Sequence, residues 1–168
     1  MGPRSQITTA KWQTIGTFIY YECNITNMSS PILRDIVDKA IIGVAGNYQT
    51  KNLYSKCGTA SARIQRKLRE QGIDTRQCVS NDPQMNAHVY LIRSEDQQVD
   101  PLDQRIIDAT AGMFLLDYEQ PFIGTRRELR DLIMSKEYEI TNTSSRNDPK
   151  RAFERTWGNT SNFYGNGG

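Results

Sequence analysis

At Gly72 the hydrophobic period of this chain changes. Before it, apolar residues recur at helical spacing; after it, they alternate. A chain that spells helices first and strands second is expected to pack its helices on an antiparallel sheet. The predicted class is therefore α+β.

Two helices are legible ahead of the switch. Ile32, Leu33, Ile36, Val37, Ala40, Ile41 and Val44 keep a 3.6-residue period. Ser30 suits the N-cap, Pro31 suits the first helical position, and Gly43 and Gly46 mark the end. A polar loop over 47–56 follows. In the second helix Ala60, Ile64 and Leu68 share one face, and Arg63, Arg66, Lys67, Arg69 and Glu70 fill the others. Gly72 supplies its stop. Near the amino terminus, Trp12, Ile15, Phe18 and Ile19 match helical spacing, while 17–21 also reads as a strand.

Past the switch, 73–80 reads as a short strand and Asn81, Asp82 and Pro83 as a turn. Residues 87–93, AHVYLIR, form the strongest strand pattern. His88, Tyr90 and Ile92 share one face; Val89 and Leu91 share the other. Residues 94–103 are charged and turn-like. A second short strand is expected over 105–109, paired with the first, and 111–116 continues apolar. TRRE at 125–128 fits a capping box, and Leu129, Leu132 and Ile133 give the helix after it a core face. A last strand is expected over 137–140. Residues 1–140 are read as one domain. Residues 141–168, rich in Asn, Ser, Thr and Gly, are read as a partly flexible polar extension from which Trp157 docks back.

Composition narrows the function classes. A net charge of +2 over 168 residues is too small to argue for nucleic acid or an anionic membrane. The arginines over 63–69 read as a solvated helix face. No apolar run approaches a membrane span. Three cysteines suit a reducing compartment and no disulfide framework. Residues 1–7 carry no apolar signal core, so a cytoplasmic protein is expected. With no C-x-x-C and one histidine, no metal or other cofactor is expected.

The chemistry centres on Cys57, placed at or just before the start of the second helix. Exposed N–H groups and the helix dipole there favour an anion, so the thiol loses its proton more easily. The same N–H groups can hold the oxyanion formed when a thiolate attacks a carbonyl. At a helix start Cys57 is expected to be partly exposed. His88, the only histidine, opens the 87–93 strand. Asp108 sits late in the next strand, and antiparallel pairing puts that end beside His88. Cys57 is then the nucleophile, His88 the general base and acid, and Asp108 the group that orients the imidazole. Asp100, in Val-Asp-Pro, is a rival for the third place. Cys23 and Cys78 read as buried, inert thiols.

This order and setting resemble the papain-like, transglutaminase-like cysteine fold. The matching residues are Cys57 before a helix, His88 in A-H-V-Y-L and Asp108 in I-I-D-A-T. The segments IIDATAGMF and PFIGTRREL look like bacterial papain-fold toxin and effector domains, including glutamine deamidases, over roughly 30–133. The likeness departs at Cys57, which lacks a neighbouring Trp. It implies an antiparallel sheet packed on helices that include the nucleophile's. It also implies an oxyanion-hole Gln ahead of the nucleophile, for which Gln49 and Asn52 are candidates. The activity it implies is acyl transfer through a thioester on an amide of a protein substrate, foremost deamidation of glutamine. Proteolysis or transglutamination comes next, and delivery into a target cell's cytoplasm is the alternative localisation. From another class, the same residues suit an inactive interaction module in which they merely pack.

Overall fold

The computed structural model describes residues 31–47, 53, 55–80, 82 and 88–158. Among these, four α-helices surround one four-stranded antiparallel sheet, so the class is α+β. The first helix, α1, is Pro31–Ala45, and its Leu33, Val37, Ala40 and Ile41 are buried. The second, α2, is Cys57–Arg69, with Ala60, Ile64 and Leu68 wholly inside. Fully burying a Leu or Ile side chain contributes about 1.5–3 kcal/mol, so this face alone anchors α2 firmly.

Two cations of α2's side tie it to the end of α1. Lys56 Nζ donates to the Val44 carbonyl at 3.2 Å and Arg63 Nη1 to the Gly43 carbonyl at 3.1 Å. Positive groups belong at those unsatisfied carbonyls. Gly43 leaves the guanidinium room, since a Cβ there would lie 2.7 Å from Arg63 Cζ. At the other end of α2, Gly72 takes a φ of +74° and the Ile73 N–H returns to the Leu68 carbonyl at 2.9 Å. That left-handed turn stops the helix and aims the chain into the sheet.

The strands β1 (Thr75–Val79), β2 (Val89–Arg93), β3 (Arg105–Asp108) and β4 (Phe122–Thr125) form a meander in chain order. Cys78 faces Tyr90 across β1 and β2, Leu91 faces Ile107 across β2 and β3, and Asp108 faces Phe122 across β3 and β4. All five residues of β2 are buried. Because successive side chains point to opposite faces, this strand is covered on both sides. Helix α2 packs on β1 and β2. From the other end of the chain, α3 (Arg126–Met134) and α4 (Pro149–Thr156) pack together. The capping box is present: Thr125 Oγ1 accepts from the Glu128 N–H, and Glu128 reaches back to the Thr125 N–H.

Three parts of the sequence reading change here. Phe122–Thr125 is a strand the pattern did not announce, because four residues with Gly124 among them show little alternation. The strand expected over 137–140 is a single bridge, Leu115 to Ile140. The polar stretch after 140 carries α4, with Asp148 capping it, Pro149 at its first turn, and Ala152, Phe153 and Thr156 buried. The helix-or-strand question over 12–21 lies outside the described residues, as do Cys23, Gln49 and Asn52. No helix among the described residues is long and apolar enough to cross a membrane.

Candidate active site

Cys57 is the first residue of α2. Its N-cap, Lys56, offers no side-chain hydrogen bond to the helix start. The thiol is more sheltered than a helix start alone implies, at 7 % exposure. The expectation of a partly exposed sulfur is corrected by packing: Ser61, one turn on, donates to the Val89 carbonyl at 3.1 Å and pulls the helix start onto β2.

His88 precedes β2 and Asp108 ends β3. The antiparallel register brings the two together, both buried. His88 Nε2 and Asp108 Oδ2 are 2.8 Å apart. Because a carboxylate accepts, that nitrogen carries the proton, and Nδ1 is left for the thiol. This is the reverse of the serine-protease triad, where Nδ1 meets the aspartate. Cys57 and His88 interact through a side-chain hydrogen bond and through charge. The two groups act on each other's proton affinity, while the buried Nδ1 makes no hydrogen bond of ordinary geometry. Catalytic hydrogen bonds are often long or poorly aligned without substrate.

The electrostatics are those of an ion pair in waiting. Burial pushes the Cys57 thiol up, but the His88 hydrogen bond and charge, with a backbone hydrogen bond from Val89, carry it below its ordinary value. Burial pushes His88 down, and the Asp108 charge and hydrogen bond outweigh that and raise it. Burial also disfavours charge on Asp108. The His88 charge and the donors around the carboxylate hold it below the usual carboxylate range.

Those donors are numerous. Asp108 Oδ1 accepts from the Thr110 N–H at 2.9 Å, and Oδ2 accepts from the Trp157 indole at 2.6 Å as well as from His88. Trp157 is fully buried and meets Phe114 edge-on at 5.4 Å. Phe114 in turn meets the His88 ring at 4.5 Å. The sequence predicts that Trp157 docks, but not that it touches the site. The available signal was the face formed by Ala152, Phe153, Thr156 and Trp157 behind an Asp-Pro helix start.

The rival third member is elsewhere. Asp100 is exposed and its Oδ1 accepts from the Leu102 N–H at 2.8 Å, which makes it a turn residue. Cys78 is fully buried in β1, and burial lifts its thiol to about 11 against the opposing pull of Arg126 and Arg76. It fits the inert role.

No family model matches this chain, and no match to it was found among curated proteins or solved structures. The likeness to papain-like enzymes thus rests on the residues quoted for it.

Proposed function

We propose that the protein is a thiol-dependent amide hydrolase or acyltransferase of papain-like type, acting foremost as a glutamine deamidase on a protein substrate. The observation that carries the reading is the His88 ring. One nitrogen is committed to a buried carboxylate, and the other is left beside a thiol at a helix start.

In this reading the Cys57 thiolate attacks the side-chain carbonyl carbon of glutamine, forming a C–S bond and a tetrahedral oxyanion. Helix-start N–H groups hold that oxyanion. The His88 proton passes to the leaving nitrogen, the C–N bond breaks, and ammonia departs. Water then gives a proton to Nδ1 and attacks the thioester. The C–S bond breaks, and a glutamate side chain and free Cys57 remain. An amine in place of water gives transglutamination.

The shelter of Cys57 favours deamidation over proteolysis. A carboxamide on a thin side-chain arm reaches a recessed sulfur more easily than a main-chain amide flanked by chain on both sides.

The test incubates glutamine-rich proteins with the wild-type chain and with Cys57→Ser, and reads intact mass. The expected result is the small mass gain of amide-to-acid exchange at glutamine, with ammonia released, only with the wild type. Cleaved products instead would move the assignment to a protease. An unmodified substrate set, with no thioester trapped from an activated ester probe, would favour the inactive interaction module.

A further inference from the structure

We infer that Trp157 is a positioning residue for the catalytic pair, clamped in place by Tyr90 and Arg126, so that the C-terminal segment completes the site. The inference rests on the reading of Cys57 and His88 as nucleophile and base.

A chain of hydrogen bonds carries it. Arg126 Nη2 donates to the Tyr90 hydroxyl at 2.9 Å, and that hydroxyl donates to the Trp157 carbonyl at 3.0 Å. The Trp157 indole N–H donates to Asp108 Oδ2 at 2.6 Å, the oxygen that also meets His88 Nε2. Trp157 is therefore held at its main-chain carbonyl by Tyr90 and spends its only polar side-chain atom on Asp108.

The geometry gives that N–H a definite job. A carboxylate at a strand end turns freely about its last bond unless both oxygens are engaged. The Thr110 N–H fixes Oδ1 and the indole fixes Oδ2, so the plane of Asp108 is set without help from the imidazole. His88 then meets an acceptor already aimed, and its Nδ1 is pointed for the thiol. An indole N–H can only donate, so it also opposes protonation of Oδ2 and keeps the carboxylate ionised. Simple packing would need the ring but not its nitrogen. Tyr90 and Arg126 are fully and almost fully buried, respectively, and Arg126 also stacks toward the Tyr90 ring at 5.6 Å.

The test reads Cys57 alkylation by iodoacetamide against pH in the full chain, mapped by peptide mass spectrometry. Wild type, Trp157→Phe and Tyr90→Phe are compared. A fourth protein carries benzothienylalanine at 157, a Trp isostere with sulfur for N–H, in a Trp12→Phe background. The Trp157 variants should label Cys57 about tenfold more slowly near neutral pH, with the midpoint moved up by about one pH unit. Tyr90→Phe should move it in the same direction by less, because the indole contact itself survives. Thermal midpoints and Cys78 labelling report folding. If the isostere folds and labels Cys57 like wild type, or fails to fold although its shape is kept, the N–H has no positioning role and the inference is overturned. If wild-type Cys57 itself labels no faster than an unfolded cysteine, the nucleophile–base reading fails instead.

Discussion

His88 and Trp157, far apart in the chain, donate to the same oxygen, Oδ2 of Asp108, at 2.8 and 2.6 Å. That sharing constrains what can replace the carboxylate. In Asp108→Asn the amide oxygen must take the Oδ2 place, since two donors point at it. The NH2 group then faces the Thr110 N–H, donor against donor. Leaving that buried N–H unsatisfied costs about 1–3 kcal/mol. Activity should survive at roughly a hundredth of wild type, because the imidazole stays oriented but loses its charge partner. Asp108→Ala should be worse on both counts, with three buried donors, from Thr110, Trp157 and His88, left unpaired. Urea denaturation and kcat/KM on a glutamine substrate check the order.

The same pair sets how stability varies with pH. Asp108 is held below its ordinary range. Its contribution is therefore present above the unfolded value of about 3.9 and is lost as pH falls through the lower folded value. His88 is raised. Its contribution is full below about 6.5 and is lost as pH rises through the raised folded value. The share of stability these two groups confer should be greatest on the acid side of neutrality, between those two limits. In Asp108→Asn the alkaline decline in denaturation midpoint should flatten. An unchanged alkaline slope in that variant would show that the His88 shift has another source.

Much of this arrangement was legible in the sequence because local rules agreed with the fold. The apolar faces of α1 and α2, the capping box at Thr125 and the strand opened by His88 are short-range patterns that survive packing. Pairing of neighbouring strands is the commonest connection, which brought Asp108 to His88. The missing parts are those that tertiary contact decides. Strand β4 is too short to show a period and exists because β3 is beside it. Trp157 lies in a segment whose composition is polar, and only the folded sheet shows that Tyr90 and Asp108 grip it from two sides. The fourth contributor, Arg126, hides inside the capping box, where a charged residue is expected to face water.

On the proposed reading, the pH profile of activity follows from opposite shifts in the two partners. Cys57 is below its ordinary value and His88 above it, and both shifts favour the thiolate–imidazolium form. The acid limb of kcat/KM should fall below the ordinary thiol value of about 8.5, and the alkaline limb above the ordinary imidazole value of about 6.5. Cys78, raised to about 11 and fully buried, should react with alkylating agents only when the domain unfolds. An activity that rises only near the ordinary thiol value would mean that His88 does not activate Cys57.

Stability separates the roles of the site residues from one another. Cys57→Ser keeps the volume and should abolish activity with little change in stability. His88→Ala should behave differently. The ring is buried against Phe114 and pairs with Asp108, so its removal leaves a buried carboxylate with hydrogen bonds but no opposite charge. Losses of about 3–5 kcal/mol accompany such a change. His88→Gln, whose amide can still donate to Asp108, should recover part of that stability and none of the activity. A core reference is Leu68→Ala, fully buried on α2, expected to cost about 2–5 kcal/mol with the active site intact. Ile36→Ala, on the partly buried edge of α1, should cost less. Chemical denaturation of the five variants, with kcat/KM on the same samples, gives the comparison. If His88→Ala proves as stable as wild type, the carboxylate is not held by the imidazole and Asp108 serves the Trp157 clamp alone.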